Sequence, residues 1–359
     1  MSAAIRRIAG LAVLSCHLGP ASQVVAPPAA ASLDLDGLFV PAAQTTLAFV
    51  SDEVIVIGRL PGPNGSFSAG IAAMRWRDGK LQLLTTAAFP LQSAVLGQGL
   101  FPAAHGSVIA QFQPTALLLS EDLKIRAKLP VKVLIPPVPQ GAVVAAYEGF
   151  KSWKLYRLVP DLAFVRNGAG EVLSVSDDFV IYRGAQEVRV ETVEGDAVGQ
   201  FQVPPRSVCD ARPRLIGPGR LYVDGCGPSR IVDFHGKELL KVPSPDGWGF
   251  RSGLSLDGSR MLFDYYTRRI SVLQRMYEAF ESLISLGMGP IITGIGEIIR
   301  VVDTTSGKVC LDVDSPDQGF GMAGEYHADI SPSGRFLALV TANRLSVYRI
   351  PSECGTSGH

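Results

Sequence analysis

The chain has 359 residues, 47% of them apolar, with 33 basic and 33 acidic side chains. That length can bury a large core, and a balanced charged content of only 18% leaves no net field for holding nucleic acid or an anionic membrane in bulk. The 38 glycines and 25 prolines favour many short strands joined by tight turns over long helices.

The first 22 residues read as a signal peptide. Arg6-Arg7 precede the apolar run Ile8–Leu14, and small residues follow, with Gly19 and Ala21 placed for cleavage after Ala21. Val13-Leu14-Ser15-Cys16 also has the form of a loose bacterial lipobox, in which Cys16 would carry a lipid. The expected location is therefore extracytoplasmic: secreted, periplasmic or lipid-anchored. Residues 23–32 are rich in Ala, Pro and Val without a period, as in a linker. Nothing later approaches the ~18 to 20 apolar residues of a membrane span.

Two series of turn-plus-strand signals then run along the chain. Hairpin turns occur at Asp78-Gly79, Glu121-Asp122, Glu194-Gly195-Asp196, His235-Gly236 and Ser306-Gly307, each between strand-like flanks. They are about 40 or about 70 residues apart, as a repeat of about 40 residues would give if one turn lay at Pro160-Asp161 and one repeat held an insertion. The second series places a polar or glycine turn before a β-rich run: VSDEVIVIGRL, AAHGSVIAQF, QGAVVAAY, SDDFVIYRG, GPGRLYVDG, LDGSRMLFDYY and PSGRFLALV. Seven repeats are expected. In the last, Ser331-Pro332-Ser333-Gly334 forms the turn, Phe336–Val340 is apolar on both faces and suited to burial between layers, and Leu345–Ile350 is the next strand.

Four cysteines lie beyond the export segment: Cys209, Cys226, Cys310 and Cys354. An even count in an exported chain permits two disulfides. Cys209 and Cys226 are equidistant from a turn at Gly217-Pro218, so an antiparallel hairpin sets them opposite each other. Cys310 and Cys354 are the remaining candidates. Two buried free thiols are the alternative for the first pair in a reducing compartment.

The turns Ser331-Pro332-Ser333-Gly334-Arg335 and Ser255-Leu256-Asp257-Gly258-Ser259-Arg260, the degenerate Gly217-Pro218-Gly219-Arg220 and the phrase Val301–Lys308 resemble the β-propeller families, in particular WD-repeat-like and TolB-like propellers. The resemblance spans most of residues 35–351 and lacks the Gly-His and Trp-Asp signatures of the strict WD repeat. It implies an all-β propeller of about seven four-stranded blades over residues 33–351, with a tail at 352–359. Closure in a ring is physically sound, because each blade buries both faces against its neighbours. The last blade lacks an outer strand, and residues 33–41 are expected to supply it, with Leu38–Val40 beside Leu345–Ile350.

Residues 270–296 interrupt the repeat. Leu273, Met276, Tyr277, Phe280, Leu283 and Ile284 recur at helical spacing, which predicts one amphipathic helix ending near Gly287. The resemblance puts this insertion on the face where propellers commonly bind partners. Tyr265, Tyr266, Arg268, Arg275, Tyr277 and Glu278 are the candidate partner-binding residues, aromatic and charged side chains of the kind that anchor interfaces. A helix that merely packs on the ring, and a tyrosine that merely fills the core, are the structural alternatives.

No residue pattern points to a catalytic site. Histidines are few and form no HExxH or His/Cys cluster, and no CxxC, GxSxG or phosphate loop occurs. His327 with Asp329 is read as a structural pair near the central channel. No cofactor is predicted, although carboxylates from several blades could converge there on a calcium ion. A quinone-bearing propeller is disfavoured, with only Trp76, Trp153 and Trp248 present. The leading expectation is a non-catalytic, monomeric module binding a protein or cell-surface partner and no nucleic acid. The alternative is a hydrolase or lyase whose metal or acid/base site lies at the channel.

Overall fold

The computed structural model describes residues 27–36, 38, 42–61, 68–90, 99–112, 115–129, 133–135, 138, 140–147, 152–158, 162–184, 186–242, 253–268, 295–315, 328–341 and 343–355. Their strands form seven antiparallel sheets, blades I to VII. Strand β1 (Ala31–Asp34) precedes blade I, which contains β2 (Ala42–Ser51), β3 (Val54–Pro61), β4 (Ser68–Arg77) and β5 (Lys80–Pro90). Blade II contains β6 (Gly99–Ala103), β7 (Ser107–Phe112), β8 (Thr115–Ser120) and β9 (Ile125–Leu129). Blade III contains β10 (Val133–Ile135), β11 (Val143–Tyr147), β12 (Ser152–Arg157) and β13 (Ala163–Ala169). Blade IV contains β14 (Glu171–Val175), β15 (Phe179–Arg183), β16 (Glu187–Thr192) and β17 (Ala197–Gln202). Blade V contains β18 (Arg212–Gly217), β19 (Arg220–Asp224), β20 (Arg230–Asp233) and β21 (Glu238–Lys241). Blade VI contains β22 (Arg260–Arg268), β23 (Ile295–Asp303) and β24 (Val309–Ser315), with an isolated bridge Leu254↔Met261 at its innermost position. Blade VII joins β25 (Ala328–Ile330), β26 (Phe336–Thr341) and β27 (Arg344–Arg349) to β1.

Alternation along each inner strand explains why these strands read as unbroken apolar runs. In β3, Val54 and Val56 pack toward blade II, whereas Ile55 and Ile57 pack toward blade VII. In β26, Leu337 and Leu339 face blade VI, and Ala338 and Val340 face blade I. Seven buried apolar clusters result, one at each blade junction, so the core is a ring of separate interfaces.

Turn chemistry repeats with the blades. Ser255 Oγ accepts the Arg260 N–H at 2.9 Å, and Ser331 Oγ accepts the Phe336 N–H at 3.1 Å, so the two resembling turns share one closure. Gly258, at φ 67°, lies against blade V so closely that a Cβ there would be 1.7 Å from the Ile216 carbonyl oxygen. In blades I to VI the third and fourth strands are offset by a β-bulge. A bulge twists the outer strand and blunts an edge that would otherwise recruit foreign strands.

The N-terminal chain does complete blade VII, but with an earlier segment than expected. Ala31 pairs with Val347 and Asp34 with Arg344, so residues assigned to the linker belong to the ring. Period-two alternation turns Ala31, Leu33 and Leu35 inward, and Leu35 is 1% exposed. Asp34 Oδ1 then accepts the Asp36 N–H at 2.9 Å and the Leu38 N–H reaches the Leu35 carbonyl, so the described chain turns after Leu35.

One further expectation needs correction. The β22–β23 ladder continues to Arg268↔Ile295, so the interruption is shorter than 270–296, and its last two residues are strand. The described residues contain no helix; the helical span, with Arg275, Tyr277 and Glu278, lies outside them. Both disulfides are present, Cys209–Cys226 and Cys310–Cys354. The first lies beyond the ladder in which Arg212 pairs with Asp224, one residue out of the predicted register, which would have set Cys209 directly opposite Cys226.

Candidate functional site

A propeller has two unlike faces. Here the turn face carries the connections from first to second and from third to fourth strands, and the loop face carries those from second to third strands and from blade to blade. On the loop face β22 and β23 are each nine residues long, against five for β15 and β19, so the ladder leading into the interruption is extended. Tyr265, Tyr266 and Arg268 pair in that ladder with Ile298, Glu297 and Ile295.

The same face holds a feature that the sequence did not bring forward, the connection at 203–211 from blade IV to blade V. Arg183, whose side chain is 2% exposed, ends the apolar strand β15. Its guanidinium donates to the Pro204 carbonyl at 2.7 Å and the Ala211 carbonyl at 3.0 Å, and lies 3.3 Å from Asp210 Oδ1. Asp210 also pairs with Arg212 at 2.8 Å and Arg206 at 3.2 Å, and Arg206 reaches Glu171. Burial alone would raise the Asp210 pKa; the three arginines outweigh it and hold the carboxyl below its ordinary value. The N–H groups of Val208 and Cys209 both reach the Pro205 carbonyl, and the Cys209–Cys226 disulfide ties this turn to blade V. Val208 is left 73% exposed at the tip of a braced loop. The available signal was an arginine closing the otherwise apolar run Phe179–Tyr182, a position where solvent exposure is not expected.

Asp224, at the loop-face end of β19, is raised by burial, partly offset by Arg214 and Arg212, and its Oδ1 is buried without a hydrogen-bond partner. On the turn face a cavity of about 610 Å³ lies among blades II to IV, lined by His105, Arg157, Asp177, Asp178, Phe179 and Glu194 among others. Asp177 accepts the Ala142 N–H, and Arg157 approaches Glu194 at 3.9 Å. His235 lies in its predicted hairpin turn, and His327 lies outside the described residues. Among the described residues no three His, Cys, Asp or Glu side chains stand together as a metal site, and no helix is long and apolar enough to cross a membrane.

No family model matches the chain, and no curated protein does. Solved structures do. The WD40 domain of Neurospora crassa Pan2 superposes with a TM-score of 0.52 at 10% identity, covering 92% of this chain and 97% of that one. Chaetomium thermophilum Raptor gives a TM-score of 0.56 at 10% identity over 92% of this chain, which spans only 29% of Raptor. At such identity the likeness concerns the fold alone, a seven-bladed β-propeller. The two disulfides are consistent with an oxidising, extracytoplasmic setting.

Proposed function

We propose that this protein is a non-catalytic, extracytoplasmic binding or scaffolding propeller whose partner, a protein or cell-surface structure, docks on the loop face. The observation that carries the reading is the asymmetry of the two faces. Short turns close the described part of the turn face, whereas the loop face has the extended β22–β23 ladder, the break in the repeat and the braced Val208 loop. Rigid presentation of exposed apolar and arginine side chains lowers the entropy lost on docking. Channel-centred hydrolase or lyase chemistry would need convergent acids or histidines, and among the described residues Asp329 is already engaged by backbone N–H groups from β2 and β25.

The test uses photo-crosslinking side chains at position 208 or 266 on the loop face and at 235 on the turn face of the full chain, in cells that produce it. The expected result is one discrete crosslinked partner from the loop-face positions and none from position 235. Equal labelling from both faces, or labelling from 235 alone, refutes the assignment. Fractionation of the same cells checks location, and recovery in the cytoplasmic fraction would count against export.

A further inference from the structure

Three blade junctions share one device. A side-chain oxygen on the innermost strand of one blade accepts a backbone N–H from the innermost strand of the next. Thr46 Oγ1 accepts from Leu100 at 3.0 Å between blades I and II, Ser174 Oγ from Leu215 at 3.2 Å between IV and V, and Asp329 Oδ2 from Phe49 at 2.8 Å between VII and I. Two of these acceptors are hydroxyls, whose charge is fixed at any ordinary pH. The third is a carboxyl, and it occupies the junction at which the ring closes.

Among the described residues the surroundings of Asp329 are mainly apolar. Its Oδ1 accepts the neighbouring Ile330 N–H at 2.9 Å, and a Cβ added to Gly253 would lie 2.9 Å from that oxygen. Strands β2, β25 and β26 contain no other ionisable side chain. Leu262 of β22 packs against the same Gly253, and the neutral Gln140 amide donates to the Phe49 carbonyl at 3.2 Å. No described cation faces the carboxyl; Arg335, at the turn-face end of the same seam, is paired with Asp52 at 3.0 Å. Burial therefore pushes Asp329 up to about 7, against the two N–H donors that favour the ionised form.

We propose that the seam between blades VII and I is a pH-responsive latch, closed most firmly when Asp329 is protonated and opening locally more often when it is ionised. The junctions held by Thr46 and Ser174 are indifferent to the same change. The closed seam retains a proton that the opened, solvated carboxyl releases at its ordinary value near 3.8. Closure is thus strongest below about pH 4, weakens as pH rises toward 7, and is flat above it. Within that window the opening constant rises by up to about tenfold per pH unit.

Hydrogen exchange followed by mass spectrometry on the whole protein tests this, under conditions where reclosing outruns exchange. Exchange of the segment containing Phe49 is compared with those containing Leu100 and Leu215, so that the intrinsic pH dependence of exchange cancels. The expected ratio rises between pH 5 and pH 7 by up to about 50-fold. It flattens in Asp329→Asn and in Asp329→Ser, which copies the hydroxyl at Ser174. The rise should survive His327→Gln, two positions before Asp329 in the sequence, and Asp264→Asn, in β22 of the neighbouring blade VI. A constant ratio in the unaltered protein, an undiminished rise in either Asp329 variant, or its loss in His327→Gln would overturn the latch. Should both Asp329 variants fail to fold, the unaltered protein and the His327 control decide.

Discussion

Replacing Arg183 with Met keeps the aliphatic volume and removes the three polar contacts its guanidinium makes with residues 203–211, to the Pro204 and Ala211 carbonyls and to Asp210. Two carbonyls, Pro204 and Ala211, lose charge-assisted donors at 2.7 and 3.0 Å, each loss costing about 1–2 kcal/mol. Asp210 loses one of three arginines but keeps Arg206 and Arg212, so the larger penalty for stranding a buried charge does not apply in full. The expected loss is about 2–4 kcal/mol. Urea denaturation read by tryptophan fluorescence measures it, with the m-value checked for lost cooperativity. The Cys209–Cys226 bridge, closing a separation of 17 residues, holds the same segment and contributes about 3 kcal/mol in the chain-entropy model. Arg183→Met combined with Cys209→Ser and Cys226→Ser should therefore depart from additivity by at least about 0.5 kcal/mol. Trypsin should also cut after Arg206 sooner in the single variant. A cost under about 0.5 kcal/mol, or strict additivity with the disulfide, would refute the brace.

Gly168→Ala should destabilise the ring by about 1–3 kcal/mol, because the new Cβ would fall 2.0 Å from the buried Trp153 indole; a thermal midpoint equal to that of the unaltered protein argues against the packing described. A chain beginning at Ala42 should lose the closing strand and become protease-sensitive or oligomeric, whereas one beginning at Pro27 should remain intact; light scattering distinguishes them. In acid, Asp52 should contribute to unfolding. Burial would raise its pKa, but the Ser333 N–H and Arg335 lower it overall, so its contribution is present above the ordinary value of 3.8 and lost as pH falls through the depressed one. Asp52→Asn should therefore flatten part of the stability loss below pH 4, and an unchanged acid limb would show that the pair contributes nothing.

Much of the ring was legible because it rests on local rules. Gly79, Gly195, Gly236 and Gly307 all adopt positive φ in the hairpin turns where they were expected, and Phe336–Val340 reads as buried on both faces because neighbouring blades share it. The closing strand was placed too late in the chain. Leu38–Val40 is the more β-like sequence, whereas Ala31–Asp34 gains its place from pairing with β27, a long-range term that propensity does not contain. The Arg183 brace and the Asp329 junction were missed because their partners are backbone groups on other blades, and nothing in the spacing of side chains encodes them.

Both described ends of the chain leave from the turn face: Ala30 lies beside the Gly79 turn, and Ile350 follows the pairing of Arg349 with Phe336. β1 and β27 are antiparallel, so tension between the ends would unzip them one pair at a time from Ala31–Val347, the weakest mode in which a strand can be loaded. The Cys310–Cys354 bridge changes that path. It hands force on the C-terminal side to β24 in blade VI, so β27 stays seated and the mechanical fuse of the ring is β1 alone.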